Sequence, residues 1–215
     1  SAGGVLAAQL IAALGEGEAG NAAFVAKAVN GLIADRATWM NPGGDATKPP
    51  AGLIAGSHVQ AALGMKASAP THALDENPSA TGLVTVDNAG RGVACEFTMN
   101  APFGSARVAP GTGIILAPAP NAQGAGFSAL GPLMLANQYT GRLYFTSASG
   151  GGTPGDIAKA RLFDAVTNRK QVMDGAMQAG RLFADGAGTI YLEDAASSEK
   201  GAIANLDAEA PGWDF

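Results

Sequence analysis

The first apolar pattern runs from Val5 to Leu14, a stretch of Ala and Leu that predicts a helix, with Ser1 placed to cap it and Gly15 to end it. A second helix is predicted over 21–40, where Phe24, Val25, Ala28, Val29, Leu32 and Ile33 recur at three- and four-residue spacings. Asn41-Pro42-Gly43-Gly44 breaks it, a short third helix is expected over 51–63, and Pro70 to Pro78 reads as an exposed connector. At Thr81 the period changes from helical to alternating. Leu83 to Val86, the turn Asp87-Asn88-Ala89-Gly90, and Val93 to Met99 predict a β-hairpin. Gly111 to Leu116 suggests a strand or turn-strand unit, and Leu143 to Thr146 a buried strand running into a glycine-rich segment. Helices are expected over 154–168 and 172–179 and a last strand over 189–192, while the tail to Phe215 is poorly patterned. Helices, a hairpin, strands and helices again make an α+β chain rather than a regular α/β alternation.

Composition narrows the function classes. The 215 residues carry 13 Lys+Arg against 18 Asp+Glu, a net charge of −5, which argues against a nucleic-acid partner, since neutralising phosphates needs a basic face. No uninterrupted apolar run reaches the roughly 18 residues that a membrane-spanning helix needs. The single cysteine, Cys95, has no internal disulfide partner and reads as a small core residue; no Cys/His cluster offers a metal site, and no cofactor is expected. Glycine is abundant, 31 of 215 residues, which points to tight turns and close backbone approach. The start at Ser1, without a charged and then apolar leader, is expected for a mature, processed or truncated end.

Most chemistry-bearing residues have bland readings. His58 and His72 stand in no ligand spacing and suit surface or capping roles; Asp35-Arg36 reads as an exposed pair of little energetic weight, and Trp39 and Met40 as packing. Ser149-Gly150-Gly151-Gly152-Thr153 is different, because a glycine run between a strand and a helix can present backbone N–H groups to an oxyanion. It is not a nucleotide phosphate loop: Gly150 and Gly155 have the spacing, but Asp156-Ile157 follows where Lys-Ser/Thr is required.

Several stretches, in order, resemble the γ-glutamyltransferases, a family of N-terminal nucleophile (Ntn) hydrolases. Ser1-Ala2-Gly3-Gly4 before a helix with Gln9 is similar to their Ser-Ser-Gly-Gly helix start, and Ala34-Asp35-Arg36 to an Ala-Asp-Arg in the next helix. Thr81 to Asp87 resembles the strand that begins the small subunit, and Cys95 to Asn100 with Phe103-Gly104 the strand after it. Pro110 to Leu116 and Ser149-Gly150-Gly151 resemble two later segments, the second being the family's oxyanion loop. The resemblance implies a four-layer αββα sandwich in which residues 1–78 correspond to the end of the large subunit and 79–215 to the small subunit, together one domain. It also implies that a second polypeptide, the earlier half of the same precursor, completes the core. Export to the periplasm is suggested by the resemblance alone.

In that family a threonine freed by autocleavage is the nucleophile and its own α-amino group the base. By resemblance Thr98 would orient that hydroxyl, Gly150 and Gly151 would hold the oxyanion, and Asn100 would line the substrate pocket. The family's interval to the second threonine puts the nucleophile position on Ala80, which has no hydroxyl. Thr81 is the nearest replacement and needs a one-residue slip at the strand start; Ser1 is a more distant alternative. The Asp-Asp pair that holds the substrate ammonium falls on Gly124 to Phe127, and the Ser-Ser pair near Met134-Leu135, so γ-glutamyl head groups would meet apolar side chains. Two functions stay open: a divergent amidohydrolase or acyltransferase acting on a small amide less charged than a γ-glutamyl group, and a catalytically inactive structural or binding subunit of a larger assembly.

Overall fold

The computed structural model describes residues 2–17, 21–40, 51–65, 80–101, 103–118, 129–184 and 190–192. Ser1, the breaker at 41–44, the connector at 70–78, His72, the segment 124–127 and the tail after 192 lie outside the described residues.

The described residues of the first half form three helices. α1 (Ala2–Glu16) continues through Gly15 instead of ending there. Leu6, Leu10 and Leu14, four residues apart, form a stripe buried to 3% exposure or less. α2 (Ala22–Trp39) begins where Asn21 Oδ1 accepts the N–H groups of Ala23 and Phe24 at 3.0 and 3.3 Å, satisfying two donors that the first turn leaves unpaired. Val25, Val29 and Leu32 face the α1 stripe. α3 (Gly56–Leu63) is shorter than expected, because residues 51–55 form turns. It lies close to α2 at Gly31, where a Cβ would come within 2.5 Å of the Ala62 carbonyl oxygen.

The second half is built from antiparallel pairs. β1 (Ala80–Val86) pairs with β2 (Gly92–Thr98), and β3 (Leu133–Ala136) with β4 (Leu143–Ser147). The predicted 111–116 strand is only a turn closed by one bridge, Val108 to Ile115. α4 (Thr153–Phe163) packs against α1 and adds Ile157 and Ala160 to the core; its last turn opens into a π-helical turn, Asp164–Asn168. α5 (Met173–Gln178) and the pair β5 (Leu182–Ala184) and β6 (Ile190–Leu192) follow, with Leu182 joining the same core. Among the described residues the result is α+β: a helical core and three two-stranded sheets. Among the described residues no helix is long and apolar enough to cross a membrane. Cys95 is half-buried rather than a core residue.

The β1–β2 turn is held by Asp87, whose Oδ1 accepts the N–H groups of Ala89 and Arg91 at 2.9 Å each, while Oδ2 accepts from Arg91 Nε at 2.6 Å. The Arg91 backbone N–H first, then its guanidinium, hold the Asp87 carboxyl below the ordinary 3.8. A lowered pKa in the folded state means that the turn is supported above that ordinary value and loses the support as pH falls through the lowered one. In an NMR titration the Ala89 and Arg91 amide shifts are therefore expected to move with a midpoint under 3.8. A midpoint at or above 3.8 would contradict this account.

Candidate functional site

Strand register decides what faces what. β1 and β2 pair without a slip, Ala80 opposite Thr98, Thr81 opposite Phe97, Gly82 opposite Glu96 and Leu83 opposite Cys95. Because successive side chains alternate, Ala80, Gly82, Thr98, Glu96 and Gly92 share one face, and Thr81, Leu83, Phe97 and Cys95 share the other. The first face lies on β4 and the glycine loop. A Cβ on Gly82 would come within 2.8 Å of Ala148 and of the Ser149 nitrogen, and one on Gly92 within 2.5 Å of Leu143. The second face is open, with Leu83 55% and Phe97 54% exposed.

The glycine loop ends against the start of β1. A Cβ on Gly150 would overlap the Ala80 carbonyl oxygen and stand 3.7 Å from Thr81 Cα, so only glycine fits there. A Cβ on Gly155 would overlap the Gly150 carbonyl oxygen, which is therefore tucked against the first turn of α4. The planar trans peptide then turns the Gly151 N–H the opposite way, away from α4. Gly151 and Gly152 have φ of +90° and +64°, and the space that a Gly151 side chain would occupy is open. Thr98 Oγ accepts the Asn100 N–H at 2.9 Å, and Asn100 sits in the left-handed region at φ +54°, which asparagine tolerates better than most residues.

Of the residues singled out from the sequence, Thr98, Gly150 and Gly151 thus gather at one end of β1–β2, with Asn100 at the same strand end. Thr81 does not join them through its side chain, which belongs to the Phe97 face; the residue on the loop-side face is Ala80. Met134 and Leu135 lie in β3 and bring no hydroxyl. Beside the loop is a cavity of about 900 Å³, lined among others by Phe145, Ser149, Gly150, Leu162, Met177 and Phe183. Much of the lining is apolar, and its polar parts come from the loop and from Arg161, Arg169, Gln171 and Arg181.

Two polar clusters behind this site were not visible as such in the sequence. Asp35 and Arg36 are not a surface pair: they are 4% and 3% exposed. Asp35 accepts from Gln9 Nε2 at 3.1 Å and Trp39 Nε1 at 3.3 Å and faces His58 Nε2 at 3.1 Å, tying α1, α2 and α3 together. Arg36 Nη1 donates to Thr153 Oγ1 at 2.9 Å, fixing the start of α4 just after the glycines. The second cluster is Glu96, Lys159 and Asp156. Lys159 Nζ is 2.5 Å from Glu96 Oε1 and 2.8 Å from Asp156 Oδ1, and all three side chains are 3% exposed or less. Glu96 also accepts the N–H groups of Ser149 at 2.7 Å and Gly131 at 2.6 Å, while the Gly131 carbonyl accepts from Lys159 at 2.6 Å. Asp156 abuts the first turn of α1, where a Cβ on Gly3 would overlap its Oδ2; the start of a helix favours a carboxylate there. The available signal was Glu96 itself, a charged residue in register with inward-facing Ala94 and Thr98.

No protein-family model matches the chain, and no curated protein does. Among solved structures, it is similar to the γ-glutamyltranspeptidase of Pseudomonas nitroreducens complexed with L-DON, at 19% identity over 62% of this chain and 81% of that one, with a TM-score of 0.49. A highly active mutant of the same enzyme matches at 20% identity over the same shares, with a TM-score of 0.48. Likeness at this level assigns no activity.

Proposed function

We propose that this chain is the later part of a γ-glutamyltransferase-like Ntn module, a four-layer αββα sandwich completed by a second polypeptide, that keeps the glycine loop without the nucleophile. It serves as a structural or binding subunit and not as an amidohydrolase. The supporting observation is the unslipped pairing of Ala80 with Thr98 on the face toward the loop: a methyl stands where chemistry would need a hydroxyl. Thr81 would reach that face only if β1 slipped by one residue, which would also turn Leu83 toward β4 and the loop and Val84 out to the open side. Its amine, moreover, stays in a peptide bond unless the chain is cut before it. Recognition of a γ-glutamyl head group is lost in this reading, since apolar Met134 and Leu135 stand where the resemblance needs hydroxyls.

Mass spectrometry under denaturing conditions, after exposure to an electrophilic acyl probe, tests this. The expected result is one unmodified species of 21.3 kDa. Fragments breaking before Thr81, or an adduct on Thr81, would overturn the silent reading. They would establish the second one, amide hydrolysis or acyl transfer through Thr81. The cavity beside the loop favours that second reading, being large enough for a small amide. In that case Thr81→Ala abolishes the activity.

A further inference from the structure

The glycine loop is held in place by charge from behind. We infer that Glu96 is a positioning residue whose buried carboxylate, neutralised by Lys159, sets the conformation of Ser149–Gly152 before any ligand arrives. The inference does not depend on whether residue 80 or 81 carries chemistry.

Three of the loop's residues are glycines, and two have positive φ, so local preference alone leaves the segment many conformations. What removes that freedom is long-range. Ser149 N–H, one residue before the glycines, donates to Glu96 Oε1 at 2.7 Å, and the same oxygen takes Lys159 Nζ. Glu96 Oε2 takes Gly131 N–H. One carboxylate therefore joins β2, the segment leading into β3, the glycine loop and α4. Glutamine has the same shape but cannot do this. Its NH2 replaces one of the two oxygens, and each oxygen already faces a donor, so a donor is set against a donor wherever the amide turns. Aliphatic residues would leave the Ser149 and Gly131 N–H groups buried without an acceptor. The carboxylate is thus required by the loop, and Lys159 is required by the carboxylate, which could not remain buried and ionised alone.

The test is native-state amide hydrogen exchange on the whole chain, wild type against Glu96→Gln. The readout is the Asp156 N–H, which donates to the Gly152 carbonyl at 3.1 Å and does not itself touch Glu96, compared with Leu10 and Val29 in the helical core. Exchange at the Asp156 amide is expected to rise on the order of tenfold more than at the core amides, because the loop gains a local opening that the core does not share. Equal acceleration at loop and core would mean that Glu96 only contributes to global stability, and unchanged exchange that it does nothing; either overturns the proposal. If Glu96→Gln does not fold, Glu96→Asp, which keeps the charge beside Lys159 but draws the carboxylate back from the Ser149 N–H by one methylene, carries the same comparison with the same outcomes.

Discussion

Replacing Lys159 with methionine is expected to destabilise the protein by about 3–5 kcal/mol, the cost typical of breaking a buried ion pair on one side. Methionine fills similar space, so the loss is electrostatic. Glu96 and Asp156, both essentially without solvent, would be left facing each other with no cation between them, and the Gly131 carbonyl would lose its donor. Against a total of roughly 5–15 kcal/mol for an ordinary domain, that removes a third or more of the margin. Chemical denaturation followed by circular dichroism measures it as a lower midpoint with an unchanged slope. Arg91→Ala is the control. The Arg91–Asp87 pair lies in solvent at the hairpin turn, and its loss is expected to leave the midpoint where it was. A Lys159 variant as stable as wild type would mean that the cluster is not charged as its geometry requires.

The second large effect is expected at Leu10. It is fully buried, with α1, α2 and α4 contributing to the core around it, and Leu10→Ala should cost about 2–5 kcal/mol. Leu83→Ala removes the same atoms from a β1 position that is 55% exposed, so its effect on the chain by itself is expected to fall within about 0.5 kcal/mol. Thermal or chemical unfolding of the two variants side by side decides the matter. Equal losses would mean that Leu83 is covered in solution, and that the hairpin does not show its outer face to water.

How much of this was legible beforehand depended on how local each feature is. The β1–β2 hairpin was readable because alternation and its turn residues lie within about twenty positions. The body of α2 was readable because Val25, Val29 and Leu32 recur at helical spacings, while Asn21, taken as its first residue, is the cap just before it. β3 and β5 were not, since Leu133 to Ala136 and Leu182 to Ala184 are short apolar runs that fit a strand, a helix end or a loop equally well. The expected helix over 154–168 is continuous, but nothing in its spacing announces the π-helical turn at its end, where the Arg169 N–H reaches the Asp164 carbonyl five residues back. Asp35 read as a surface residue because its partners are remote, Gln9 26 residues before it and His58 23 after. The link from Glu96 to Lys159 spans 63 residues, and no window used to read helices or strands contains both. The candidate site divides the same way. Thr98 and the glycines follow from the order of short motifs, whereas the question of which of Ala80 and Thr81 looks toward the loop is answered by pairing alone.

The oily side of the first hairpin has a cost during synthesis. Strands that present Leu83, Val93 and Phe97 to water are ready templates for sticking to one another, and newly made chains in this condition are held by chaperones or degraded. It is along these strands, and not in the helical core, that newly synthesised chains are most prone to adhere to one another.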